Sequence, residues 1–190
     1  QSNEDALWSR QLIDLSRAQV APELERIVIA VDPPVSSHAK SDKCGIVVAG
    51  LLEECVYVLA DATIARASPL KWANRVAELY EHFEADCVVA EVNQGGDLVA
   101  NALHQVNPSL PVKSVHAKRG KWLRAEPVAL LYERGSVRHV GMFSELEDEM
   151  CNFAATGKAN GHSPDRLDAL VWAVTELALV RANRPRIRNI

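Results

Sequence analysis

The chain has 190 residues, of which 48% are hydrophobic and 24% charged, a composition typical of a globular protein with one sizeable core. Its 21 Lys and Arg residues against 25 Asp and Glu residues give a net charge of −4, which excludes a uniformly basic nucleic-acid-binding protein. The four cysteines are widely spaced and no apolar run approaches about 18 residues, so we expect neither a zinc site of paired cysteines nor a membrane-spanning helix.

The first predicted element is an amphipathic helix within residues 4–20, which Pro22 ends. Its apolar positions recur among polar residues at Leu7, Trp8, Leu12, Ile13 and Leu15. We interpret residues 1–25 as a lead-in helix and linker that follows an N-terminal part missing from this chain.

Three β-rich runs come next, at residues 26–34, 44–52 and 55–63. The second and third are separated only by Glu53 and Glu54, a gap that predicts a hairpin. Three strands with short links indicate an antiparallel meander.

From residue 69 onward, helical and buried-strand patterns alternate. We predict helices over 69–85 and 95–106, strands over 86–92 and 111–117, and further helices over 126–135, 143–153 and 161–174. Such βα units after a meander indicate a mixed sheet with helices on both faces. Residues 26–182 are therefore predicted to form one α/β domain, followed by a basic tail at 183–190.

Acidic residues stand at the ends of two predicted strands. Asp32 closes the run IVIAVD and Glu91 closes CVVAE, so the two carboxylates converge if these strands are neighbours. Asp165 and Asp168 lie three residues apart at the start of the last helix, on one helical face. Carboxylates this close repel one another unless a divalent cation such as Mg²⁺ or Mn²⁺ separates them. The alternatives are a turn role for Asp32 and a helix-dipole role for Asp165.

Two further segments carry possible ligand contacts. The basic residues Lys118, Arg119, Lys121 and Arg124 either contact a nucleic-acid backbone or form a solvated loop. The glycines of NQGGD (93–97) serve a strand-to-helix turn or approach a phosphate, and Asp42 is a weaker candidate near the acids. No GKS or GKT sequence occurs, so no ATPase site is expected.

Six segments (VDPP, SDKCGIVVAG, AEVNQGGDLV, VHAKRGKWLRAEPVALLYERGSVRHVG, FSELEDEMCNF and HSPDRLDALVWAV) together resemble the C-terminal nuclease domain of the large terminase subunit of tailed bacteriophages. The resemblance runs in order over about residues 26–180. It implies a ribonuclease H-like fold, with a mixed five-stranded sheet in which three antiparallel strands precede parallel ones. It also implies a DNA endonuclease that cuts concatemeric viral DNA during packaging.

The resemblance places the first metal-ligating acid at Asp32, the second at Glu91 and the third in PDRLDA. Asp165 is favoured as the main third ligand, with Asp168 as a further ligand or a supporting group. The third acid of the family often belongs to an Asp-Asp pair, and here Pro164 replaces its first member. Two Mg²⁺ or Mn²⁺ ions about 4 Å apart would then clamp the scissile phosphate, with Asp32 between them.

The implied partners are double-stranded DNA, an ATPase motor domain in the full-length chain, the portal and the small terminase subunit, all in the cytoplasm of a bacterial host. Two alternatives remain open. One is another ribonuclease H-like nuclease of resolvase or transposase type, which would use the same acids on a different DNA. The other is a catalytically silent DNA-binding domain of a packaging motor, which would bind no metal.

Overall fold

The computed structural model of the chain describes residues 6–34, 43–92 and 98–180. The strands in these ranges are β1 (Arg17–Ala18), β2 (Arg26–Asp32), β3 (Lys43–Leu52), β4 (Cys55–Asp61), β5 (Ile64–Ala65), β6 (Cys87–Glu91), β7 (Val112–Val115) and β8 (Val137–Val140). The helices are α1 (Arg10–Leu15), α2 (Pro69–His82), α3 (Leu98–Val106), α4 (Lys121–Glu133), α5 (Ser144–Cys151) and α6 (Asp165–Val174). A π-helical turn, Thr175–Leu179, continues α6.

The sheet has the strand order β1-β8-β4-β3-β2-β6-β7, and β5 pairs with β3. Strands β2, β3 and β4 are antiparallel, whereas β6 is parallel to β2 and β7 is parallel to β6. This arrangement confirms the predicted mixed α/β sheet. Beyond the five predicted strands, β8 adds to β4 and β1 adds to β8, both in parallel.

Two elements differ from the sequence-based expectation. Strand β8 was not predicted, because a run of four residues that contains Arg138 and His139 carries little strand signal. Helix α4 begins at Lys121 rather than at residue 126, so Pro127 lies inside the helix, where it cannot donate to the carbonyl of Leu123.

The alternation of side chains along the strands separates two cores. Val28 and Ala30 of β2 face a core shared with α1, α4, α5 and α6, whereas Ile29 and Val31 face a second core covered by α2 and α3. By the same alternation, Asp32 points toward the first face. The candidate site therefore lies on the side of the sheet that α4 and α6 cover.

The described part of the N-terminal segment belongs to this first core. Trp8 and Ile13 are fully buried, and the Trp8 ring lies edge-on to Tyr132 with centroids 6.0 Å apart. Helix α1 is shorter than predicted, with six residues. The domain boundary at residue 25 stays a prediction, and the basic tail at 183–190 lies outside the described residues. No helix within the described ranges is long and apolar enough to cross a membrane.

Candidate metal and DNA site

Asp32 and Glu91 lie side by side at the carboxyl ends of two parallel strands. Val31 pairs with Ala90 in the ladder between β2 and β6, and each acid is the next residue of its strand. Neighbouring strands are about 4.8 Å apart. Both side chains follow residues of the first core, Ala30 and Val89, so they project from the same face. They are 8% and 7% exposed, which brings two carboxylates together in a buried position.

Gly45 allows the start of α6 to approach these acids. It pairs with Asp32 in the ladder between β2 and β3. A Cβ atom at this position would overlap the backbone carbonyl of Asp165 and would press on the side chain of Ala169. A glycine is therefore required for α6 to lie directly on the sheet, where Asp168 is buried and Asp165 is half-buried.

The N-terminal turn of α6 is capped differently from the prediction. The N-cap position is Pro164, not Ser163, and no side chain of its own caps the helix. Instead, the Glu149 carboxylate of α5 accepts hydrogen bonds from the backbone N–H groups of Arg166 and Leu167, at 3.0 and 3.1 Å. Sequence analysis missed Glu149, because it was grouped only with the helix at 143–153.

Two cationic side chains from α4 lie among the acids. The Lys121 ammonium donates hydrogen bonds to Asp168 and to the Ser163 hydroxyl. The Arg124 guanidinium lies 3.9 Å from Glu91 Oε2 and 3.9 Å from Asp168 Oδ1. These cations reduce the repulsion that the buried carboxylates would otherwise experience.

Trp172 orients Glu91 and supports Arg124. Its indole Nε1–H donates a hydrogen bond to Glu91 Oε2 at 2.7 Å, and the Arg124 guanidinium carbon lies 4.8 Å from its ring centroid. Sequence analysis gave Trp172 no role at the site. A buried indole N–H usually needs an acceptor, which is the one signal that could have indicated it.

The pKa values show that the acids share one electrostatic environment. Burial, followed by repulsion from Asp168 and Glu91, raises the pKa of Asp32 well above its ordinary value of 3.8; Asp165 adds to this rise. Burial also raises the pKa of Asp168, although the Lys121 charge opposes the rise. Burial alone would lower the pKa of Lys121, but the charge of Asp168 outweighs it and raises this pKa.

The basic segment divides into two parts. Lys118 and Arg119 are exposed in the loop before α4, whereas Lys121 and Arg124 lie at the acids, with side chains 34% and 12% exposed. A cleft of about 580 Å³ borders Lys121 and Ser163 and separates the start of α4 from residues 155–158. The two exposed cations are therefore better placed than Lys121 and Arg124 for a ligand that arrives from solvent.

Comparison with known proteins assigns the family. Residues 29–177 match the profile of the terminase RNaseH-like domain. The chain belongs to the terminase RNaseH-like domain family. No curated protein sequence shows significant similarity to the chain.

Solved structures agree with the fold of this family. The large terminase nuclease of thermophilic phage G20c with bound cobalt superposes with a TM-score of 0.69 at 19% identity, covering 92% of this chain and 99% of that one. The same nuclease with bound magnesium gives a TM-score of 0.69 at 17% identity, with coverage of 92% and 99%. The large terminase of another thermophilic bacteriophage gives a TM-score of 0.66 at 12% identity, where 90% of this chain covers only 44% of that chain.

The donor chemistry of the terminase RNaseH-like domain suits a hard divalent cation, because four carboxylates surround one end of the sheet. Among residues 6–34, 43–92 and 98–180, however, no group of three His, Cys, Asp or Glu side chains is arranged to hold a metal ion as it stands. Lys121 and Arg124 instead contact the carboxylates. Asp42 and residues 93–97, the weaker sequence candidates, lie outside the described residues.

Proposed function

We propose that the chain is the nuclease domain of a large terminase subunit, a divalent-metal-dependent endonuclease that cuts concatemeric viral DNA during packaging. One observation carries the proposal: Asp32 and Glu91 lie in register at the ends of two central strands, beneath Asp165 and Asp168 of α6. Membership of the terminase RNaseH-like domain family supports it.

The four acids Asp32, Glu91, Asp165 and Asp168 would hold the metal, as two Mg²⁺ or Mn²⁺ ions. The magnesium and cobalt bound to the related phage nuclease support a divalent cation. When bound, such ions activate a water molecule and stabilise the charge that develops on a phosphate. We expect Lys121 to leave Asp168 when a metal binds, because its ammonium contacts a ligand oxygen.

Other residues of the chain would orient these acids and the phosphate. Trp172 holds Glu91 by a hydrogen bond, so the Glu91 carboxylate cannot rotate freely. Arg124 carries two buried guanidinium nitrogens, Nε and Nη1, that have no hydrogen-bond acceptor in the described part of the chain. A phosphate oxygen is a suitable acceptor for a guanidinium, so Arg124 is proposed to contact the scissile phosphodiester.

The proposed partners follow from the family. Double-stranded DNA is the substrate, and an ATPase motor domain is expected in the full-length protein, because the chain matches only 44% of a large terminase. The portal and the small terminase subunit complete the packaging assembly, and the cytoplasm of a bacterial host is the proposed location.

Cleavage of a supercoiled plasmid tests the activity. We expect nicked and linear products with Mn²⁺ or Mg²⁺ and none with EDTA, because the four carboxylates need a cation to approach a phosphate. A protein that binds Mn²⁺ but cuts four-way junctions in preference to linear duplex would indicate the resolvase-type alternative. A protein that binds DNA but not Mn²⁺ in calorimetry would indicate the silent DNA-binding domain.

Lys118 and Arg119 are predicted to contact the DNA backbone. The double charge reversal Lys118→Glu/Arg119→Glu should weaken duplex binding at least about tenfold and reduce the salt slope of log K by about two, one unit for each lost phosphate contact. Fluorescence anisotropy with a labelled duplex in EDTA measures both quantities.

The matched control for this prediction is Lys71→Glu/Arg75→Glu. It reverses the same number of charges on exposed positions of α2, which covers the other face of the sheet. Equal losses in the two double variants would show that only net charge matters, and would contradict a DNA surface at 118–119.

A further inference from the structure

Helix α6, which carries two of the four acids, begins on a capping group that belongs to another helix. Pro164 at the N-cap has no polar side chain, and the Ser163 hydroxyl already accepts a hydrogen bond from Lys121. The backbone N–H groups of Arg166 and Leu167, in the first turn of α6, donate to Glu149 Oε2. An acid on α5 therefore satisfies donors that α6 cannot satisfy itself.

Glu149 is held in place by the packing of α5. Leu146 and Met150 of the same helix are completely buried in the first core. The Arg166 guanidinium adds a second link, since it forms ion pairs with Asp61 of β4 and with Glu145 of α5 and approaches Glu149 within 3.9 Å. The start of α6 is thus tied to both α5 and the sheet.

The two capped N–H groups lie between the two acids of the site in sequence. Asp165 comes directly before Arg166, and Asp168 directly after Leu167. A shift in this turn moves both carboxylates relative to Asp32, and small displacements at a metal site cause large losses of function. The position of this turn is therefore decisive for the site.

We propose that Glu149 is a positioning residue that sets the place of Asp165 and Asp168 by capping α6. The proposal rests on the proposed metal-dependent nuclease function. Glu149 acts through the backbone of α6 and needs only an acceptor oxygen for this role. Its negative charge is not required, so a glutamine at this position should serve nearly as well.

The test compares Glu149→Ala with Glu149→Gln, because both remove the charge and only the second keeps an acceptor. Mn²⁺ affinity is measured by calorimetry, and kcat and KM are measured on plasmid DNA. For Glu149→Ala we expect a roughly 10- to 100-fold loss of Mn²⁺ affinity and a lower kcat with unchanged KM, as for other groups that orient metal ligands. For Glu149→Gln we expect both values close to those of the wild type.

Two controls make the result specific. Asp148→Ala removes an exposed acid from the same helix that contacts Arg10 and not α6, so it should leave Mn²⁺ binding unchanged. If the alanine variant does not fold, Glu149→Asp replaces it, since the shorter side chain should reach the N–H groups poorly and weaken Mn²⁺ binding.

Three outcomes decide the matter. Wild-type Mn²⁺ affinity and kcat in Glu149→Ala would overturn the proposal. Equal damage in the alanine and glutamine variants would also overturn it, because the carboxylate would then act directly and not through the helix. A wild-type protein that neither binds Mn²⁺ nor cuts DNA would instead refute the proposed nuclease function on which the inference rests.

Discussion

Replacing Asp32 by asparagine is expected to lower plasmid cleavage by about 10³-fold or more, the size of loss seen when a group essential to the chemistry is removed. Asp32 is buried beside Glu91 and Asp168, so its carboxylate is the central oxygen donor of the cluster. An amide carries no charge and is a poor ligand for Mg²⁺ or Mn²⁺. Initial rates of supercoiled plasmid loss at saturating Mn²⁺ measure the effect.

The stability of the same variant separates a lost site from a lost fold. Because one of several like charges is removed, we expect the Asp32→Asn protein in EDTA to melt at the wild-type temperature or above it. Added Mn²⁺ should raise the melting temperature of the wild type and not that of the variant, since only a protein that binds the ion is stabilised by it.

Asp86→Asn is the matched control. Asp86 precedes β6 at the opposite end of the same sheet, is exposed, and accepts a hydrogen bond from the Ile27 N–H that an asparagine can still accept. It should cleave like the wild type. Wild-type cleavage by Asp32→Asn itself would contradict the proposed role of the acids.

Replacing Glu147 by alanine is expected to cost about 3–5 kcal/mol of unfolding free energy, the usual cost of breaking a buried ion pair. Glu147 is 1% exposed and accepts two hydrogen bonds from the Arg17 guanidinium, at 2.7 and 2.8 Å. Arg10 adds a longer contact at 3.3 Å. The substitution would thus release the N-terminal segment from α5, which urea denaturation followed by circular dichroism can measure.

The same carboxylate completes a buried chain of hydrogen bonds. His139 Nδ1 lies 3.2 Å from Glu147 Oε1, and His139 Nε2 lies 2.7 Å from the Tyr132 hydroxyl. An ionised carboxylate can only accept, so we assign Nδ1–H as the donor and Nε2 as the acceptor of the tyrosine O–H. Loss of Glu147 leaves the His139 N–H buried without this acceptor, which adds to the cost.

Asp148→Ala is the control for this effect. Asp148 is the next residue of α5 and also contacts Arg10, but its side chain is 64% exposed. Exposed ion pairs contribute at most about 1 kcal/mol, so this variant should be nearly as stable as the wild type. A similar loss in both variants would contradict a special role for the buried pair.

The effect of Glu147 should depend on pH in one direction. Burial alone would raise the pKa of Glu147, but hydrogen bonds from Arg17, His139 and the Phe143 N–H outweigh it and hold this pKa well below its ordinary value of 4.5. A lowered folded-state pKa stabilises the protein above the unfolded-state value and less as the pH falls below it. The stability difference between wild type and Glu147→Gln should therefore be constant above about pH 5.5 and decrease below pH 4.5.

The candidate acids illustrate what local pattern can predict. Asp32 and Glu91 end apolar runs, and Asp165 and Asp168 begin an apolar helix, so each position follows from a short segment. The mixed sheet then places them at one end, because β2 and β6 are parallel neighbours. The predicted order of strands and helices was confirmed for the same reason, since long apolar runs with regular spacing report their own secondary structure.

The cations and the caps could not be predicted in this way. Lys121 and Arg124 were grouped with Lys118 and Arg119 as a basic segment, but the helical turn of α4 directs the first two toward Asp168 and Glu91. Glu147 was expected to form a capping box with Ser144, whereas the helix is capped at Phe143 and Glu147 is buried. A charge in the sequence does not report which element it will meet.

The sequence by itself determined the elements, the mixed sheet and the four acids, because these depend on periodicity and on the ends of strands and helices. Only the tertiary structure decided the partners of those acids: Gly45 beneath α6, Trp172 on Glu91, Lys121 on Asp168 and Glu149 at the helix start. Each of these contacts joins residues far apart in the chain. Their geometry depends on how α4, α5 and α6 pack on the sheet, and packing is a property of the whole core.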